Sequence, residues 1–158
     1  MIEEGVAAAT GLAQMTPFEI LLVEDNPDDV DLIAEAFREL SESTRLNVVE
    51  NGSDAFAYLR GEAAFRSARR PDLILLDLNL PGRSGHEVLR AIKTDPALRA
   101  IPLIVLTSSS SPADVQRSYE LGANCYITKP NGLDGFERIA RQLEQFWLHT
   151  ASLPRLGD

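Results

Sequence analysis

The chain has 158 residues, 44% of them hydrophobic and 25% charged, with a formal net charge of -9. That size and balance suit one compact domain with a real core, and the acidity excludes a nucleic-acid surface, which relies on lysine and arginine opposite phosphate. The single cysteine, Cys125, excludes an internal disulfide and a thiolate zinc cage and suits a reducing, cytoplasmic compartment, while no apolar run approaches the ~18 residues of a membrane span.

Residues 1–17 read as a loose arm, because Ala7-Ala8-Ala9 follows two acids and lacks the basic flank of a signal peptide. Phe18 to Val23 is an apolar strand that ends abruptly in Glu24-Asp25-Asn26-Pro27. Asn26 as N-cap and Pro27 at the first helical position predict a helix start, with Asp28 and Asp29 suited to its positive end. Val30, Ile33, Ala34, Phe37 and Leu40 then recur at helical spacing. A weaker strand, Leu46 to Val49, is followed by Asn51-Gly52-Ser53 and a helix carrying Ala55, Phe56 and Leu59. Gly61 to Arg70 reads as helix fraying into loop, and Arg60, Arg66, Arg69 and Arg70 as a solvated basic group.

The most informative stretch is Pro71 to Gly85. Leu73-Ile74-Leu75-Leu76 is a buried strand that delivers one carboxylate, Asp77, to its C-terminal end. Pro81-Gly82 punctuates the loop, and Ser84 with Glu87 forms a capping box for a helix carrying Val88, Leu89 and Ile92. That helix stops near Asp95-Pro96. The next strand, Pro102 to Leu106, ends in Thr107 and a serine run read as loop and as a cap at Ser111, with Gly122 as the C-terminal stop of the helix that follows. The last strand, Asn124 to Thr128, runs into Lys129-Pro130. A closing helix carries Phe136, Ile139, Ala140, Leu143, Phe146 and Trp147 on one face, and a tail is expected over 149–158.

Five strands alternating with five helices predict an α/β three-layer sandwich of (βα)5 type, its parallel sheet covered on both faces. The flavodoxin-like strand order 2-1-3-4-5 is the natural expectation. Glu24 and Asp25, Asp77, Thr107 and Lys129 each stand just beyond a different strand, and parallel strands bring those ends to one edge, where open α/β sheets bind ligands. Carboxylates meeting there repel by about 4 kcal/mol per close pair at ~4 Å and an effective dielectric near 20. Hard oxygen donors without histidine or thiolate favour Mg²⁺, which also takes up phosphate oxygens. Lys129 and the Thr107 hydroxyl suit an anion, so the inferred ligand is a phosphoryl group, with Asp77 best placed as a carboxylate nucleophile.

The pattern Glu24-Asp25, Asp77 with Pro81 and Gly85, Thr107, and Lys129-Pro130 resembles the receiver domain of two-component response regulators, over residues 18–148. The resemblance implies phosphoryl uptake on Asp77 from a phosphohistidine of a sensor histidine kinase, followed by slow hydrolysis. It further implies Mg²⁺ held by Glu24, Asp25, Asp77 and the backbone carbonyl of Asn79. Thr107 and Tyr126 are implied as the switch pair, Lys129 as the phosphate-pairing lysine, the side chains of Asn79 and Ser109 as tuners of dephosphorylation, and Lys129-Pro130 as a cis bond. Three departures stand out: Glu-Asp in place of the frequent Asp-Asp, Asn124 where an acid is usual, and a closing helix running on into Phe146-Trp147-Leu148. Asp95 to Pro102 and Gly122 to Pro130 look like the small single-domain regulators of bacterial phytochromes, which implies a light-sensing kinase as donor.

The expectation is a stand-alone receiver without nucleic-acid or membrane partners, acting as a phosphorylation switch, or alternatively as a relay or phosphate sink, with no turnover of external substrates. A flavodoxin-type redox carrier would need a phosphate-cradling loop where Glu24-Asp25 stands, and an aspartyl-phosphate hydrolase would need a second acid/base where Asn79 stands. Phe146-Trp147, with Tyr119 and Tyr126, leaves two readings open: a homodimer or partner surface, and core burial of Trp147. Cys125 is read as a small core residue, and His86 as exposed and not a ligand.

Overall fold

The computed structural model describes residues 17–40 and 43–154; the expected N-terminal arm, save its last residue, lies outside them. Strands β1 (Phe18–Val23), β2 (Thr44–Val49), β3 (Leu73–Leu76), β4 (Leu103–Thr107) and β5 (Cys125–Thr128) alternate with helices α1 (Pro27–Arg38), α2 (Gly52–Arg60), α3 (Gly85–Thr94), α4 (Pro112–Glu120) and α5 (Gly132–Leu143). All neighbours pair in parallel, in the order β2-β1-β3-β4-β5, with Leu22 opposite Leu75 and Leu75 opposite Ile104. This is the predicted topology.

Side chains of a strand alternate between faces, and the core divides accordingly. Leu21, Val23, Ile74, Leu76, Leu103 and Val105 pack with Ala55 and Phe56 of α2 and Val88, Leu89 and Ile92 of α3. Ile20, Leu22, Leu73, Leu75, Ile104 and Leu106 pack on the other face with Ile33, Ala36 and Phe37 of α1 and Phe136, Ala140 and Leu143 of α5. Every residue of β3 is fully buried. Each such side chain contributes roughly 1.5–3 kcal/mol by leaving water, so the strand that carries Asp77 is firmly anchored in the core.

Helix starts follow the predicted caps. Asn26 Oδ1 accepts from the amides of Asp28 at 2.9 Å and Asp29 at 3.3 Å, Ser84 Oγ from Glu87 at 3.3 Å, and Ser111 Oγ from Asp114 at 3.4 Å. These bonds satisfy amides that the helix itself leaves unpaired.

Several details differ from expectation. Strand β2 begins two residues early, at Thr44, because it pairs along the full length of β1. Between Gly61 and Arg70 the chain makes a 3₁₀ turn, Ala63–Phe65, whose Phe65 ring packs 5.4 Å from that of Tyr58. Asn124 stands outside β5 and accepts from the Leu103 amide at 2.8 Å and Lys93 Nζ at 2.9 Å. Helix α5 passes into π-type turns over Glu144–Thr150, beyond the expected start of the tail. Their wider winding breaks the 3.6-residue stripe, so Phe146 is 51% exposed while Trp147 packs against the α1/α5 cluster. Tyr126 packs against the opposite cluster, so it shares no patch with Trp147.

His86, expected to be exposed, is half-buried, with Nε2 3.2 Å from the hydroxyl of the buried Ser118 across the α3/α4 contact. No cis peptide bond occurs among the described residues, so Lys129-Pro130 is trans where the resemblance implied cis. Trans is the intrinsically favoured isomer even before proline, and here the turn into α5 is taken up by Gly132 at φ 78°.

Candidate functional site

The sheet ladder itself assembles the site. Glu24 N donates to Val49 O at 2.9 Å, Asp77 N to Val23 O at 3.0 Å and Lys129 N to Thr107 O at 2.7 Å. Each functional residue is thus tied by its backbone to the adjoining strand. Glu24, Asp77 and Thr107 are 1%, 4% and 0% exposed, while Asp25 faces solvent. Gly85 allows this packing, because a Cβ there would lie 2.4 Å from both Asp77 O and Leu78 Cα. Its amide instead donates to Leu78 O at 2.9 Å, seating the start of α3 directly on the loop after Asp77.

Glu24, Asp25 and Asp77 each offer a carboxylate oxygen within 4.8 Å of the others. The set is all oxygen and partly buried, which fits a hard divalent cation and not a thiophilic one. Lys129 Nζ lies among the acids, 2.5 Å from Glu24 Oε1, 2.7 Å from Asp29 Oδ2 and 3.2 Å from Asp77 Oδ2. Three carboxylates therefore face one ammonium. Burial pushes the Glu24 carboxyl up to about 7, with Asp77 adding to the rise and Lys129 opposing it. Burial alone would lower Lys129; the hydrogen bonds to Asp29 and Glu24 and the charge of Asp77 outweigh it and hold the ammonium protonated well above its usual range.

Thr107 Oγ1 is buried and has no hydrogen-bond partner among the described residues. An unmet buried hydroxyl costs about 1–3 kcal/mol. It stands on β4, the strand next to the one that carries Asp77. Tyr126 donates its hydroxyl to Ser109 O at 2.7 Å, and its backbone amide donates to Tyr119 Oη at 3.2 Å. The Ser109 hydroxyl is engaged with Asp114 Oδ2 at 2.5 Å. Asn79 is exposed, and its amide donates to Asp77 Oδ1 at 3.3 Å, curling the loop back over the acid.

Glu24, Asp25, Asp77 and Lys129 thus come together, with Thr107 on the adjoining strand end, while Tyr126 and Ser109 form a separate pair along β5 and the β4–α4 loop. Asp29 was missed as a site residue. The sequence marks it only as a helix-dipole acid, because its pairing with Lys129 joins residues 100 positions apart.

A family model described as "Response regulator receiver domain" matches residues 20–141. Response regulator Rcp1 of Synechocystis sp. (strain ATCC 27184 / PCC 6803 / Kazusa) is 43% identical over 138 residues, covering 87% of this chain and 94% of that protein. The crystal structure of the phosphorylated cyanobacterial phytochrome response regulator RcpA superposes with a TM-score of 0.83 at 47% identity, over 88% of this chain and 99% of that one. The Mn²⁺-bound form of Rcp1 superposes with a TM-score of 0.80 at 43% identity, over 87% of this chain and 99% of that one. With the strand order, the acid cluster and the lysine already in place, the chain belongs to the response regulator receiver domain family.

Proposed function

We propose that Asp77 accepts the phosphoryl group and that Glu24, Asp25 and Asp77, with the backbone carbonyl of Asn79, hold Mg²⁺ for the transfer. The observation that carries this reading is the buried Asp77 carboxylate, grouped with two further acids and within 3.2 Å of the Lys129 ammonium. In the transfer, an Asp77 carboxylate oxygen forms the new bond to phosphorus as the phosphorus–nitrogen bond of the donor phosphohistidine breaks. The imidazole leaves with the bonding pair and takes a proton. Bound Mg²⁺ supplies positive charge to the phosphoryl oxygens. Lys129 provides an ammonium beside the acceptor carboxylate, where it meets the charge carried by the phosphoryl oxygens during transfer.

The unpaired Thr107 hydroxyl gains its missing acceptor when a phosphoryl oxygen arrives, and Tyr126 relays that change along β5 by leaving the Ser109 carbonyl. Asn79 and Ser109 bound the approach of water and so set the phosphate's lifetime. Residues 18–148 carry this activity as a signalling switch in the cytoplasm, with no turnover of external substrates. The phytochrome name of RcpA supports a light-sensing histidine kinase as the donor. Phosphotransfer profiling against autophosphorylated histidine kinases tests it: label should pass fastest from a phytochrome kinase and fail to pass to Asp77→Asn. Equal transfer to that variant would remove Asp77 from its role.

A further inference from the structure

Lys129 makes one ion pair that the proposed metal set does not explain. Of its three partners, Glu24 and Asp77 belong to the acid group that fits a divalent cation, and Asp29 does not. A cation drawn to Glu24 withdraws the oxygen that Lys129 now holds at 2.5 Å and places like charge beside the ammonium. Lys129, with its side chain only 8% exposed, then needs another acceptor or must leave a desolvated position, and a buried ammonium without a partner is strongly disfavoured.

Asp29 supplies that acceptor. Its backbone is fixed by the Asn26 cap at 3.3 Å, its carboxylate is favoured at the positive end of α1, and its Oδ2 already lies 2.7 Å from Lys129 Nζ. We infer that Asp29 is a positioning residue: it receives the Lys129 ammonium when the cation takes Glu24, and so keeps that ammonium within reach of Asp77. This inference rests on the reading that Glu24, Asp25 and Asp77 bind the cation.

Isothermal titration of the full chain with Mn²⁺ or Mg²⁺ alone separates the two claims. Asp25→Asn tests the metal site: it should bind much more weakly than wild type, and equal binding would overturn the site and with it this inference. Asp29→Asn should weaken binding by about tenfold where Lys129 is present, the effect expected of a partly buried charge-assisted bond. In a Lys129→Met background the same change should cost no more than roughly threefold, the effect of a screened remote charge. Asp29→Glu, which keeps the carboxylate, should restore affinity close to wild type. Equal losses in the two backgrounds, or an Asp29→Glu loss as large as that of Asp29→Asn, would show that Asp29 acts only as a distant charge. Thermal melts of each variant verify folding, and the Asp29→Glu comparison decides the point on its own should the amide variant prove unstable.

Discussion

Glu24 gives the site a pH signature that can be worked out in advance. Its carboxyl ionises at 4.5 when freely solvated and at about 7 in the fold, chiefly because it is buried. Between those values the folded state binds more protons than the unfolded one, so stability falls as pH rises. The raised value means that the protonated carboxyl's advantage is fully present below about pH 4.5 and is lost as pH climbs through 7. The difference corresponds to about 3 kcal/mol, or a fall in Tm of roughly 6–12 °C for a domain of this size.

Glu24→Gln removes the titrating group while keeping its shape, so its metal-free stability should lack this component of the slope. The assay is a pair of urea or thermal melts in chelator, wild type against Glu24→Gln, from pH 4.5 to 8. The difference between the two curves should move in favour of Glu24→Gln as pH rises. Saturating magnesium should flatten the wild-type curve, since a bound cation favours the ionised carboxyl. Parallel wild-type and Glu24→Gln curves across that range would refute the claim that burial raises the Glu24 carboxyl.

Gly85→Ala should destabilise the chain by about 1–3 kcal/mol, because the added carbon meets backbone 2.4 Å away; denaturant midpoints check this, and phosphoryl uptake should fall with it as the Asp77 loop shifts. Thr107→Val replaces an unpaired buried hydroxyl with a methyl group, so the unphosphorylated protein should be as stable as wild type or more so by up to about 1 kcal/mol, while the change in the Tyr126 environment on phosphorylation is lost. A folded variant markedly less stable than wild type would mean that the hydroxyl already has a partner. Light scattering with and without a phosphoryl mimic tests self-association through the exposed Phe146, with Phe146→Ser expected to reduce it; an unchanged monomer at high concentration would count against a dimer.

The residues at the strand ends were legible in the sequence because their placement depends on little else. Once Phe18 to Val23, Leu73 to Leu76 and Leu103 to Thr107 are parallel strands of one sheet, Glu24, Asp77 and Thr107 must share an edge. The caps at Asn26, Ser84 and Ser111 were equally readable, being local backbone chemistry. What escaped depends on contacts between distant residues or on small changes of winding. The pair between Asp29 and Lys129 joins residues 100 positions apart, and the His86–Ser118 contact depends on how α3 lies against α4. Phe146 left the apolar stripe because the closing helix widens after Leu143, a change that periodicity counted at 3.6 residues per turn does not register.

The most direct test of the central claim is intact and peptide mass spectrometry after incubation with acetyl phosphate and Mg²⁺. Wild type should gain one phosphoryl group, localised to Asp77 and discharged on prolonged standing, while Asp77→Asn and a chelator-treated wild type should gain none. A phosphoryl group found on the Asp77→Asn protein, or on wild type at any residue other than Asp77, would contradict the account.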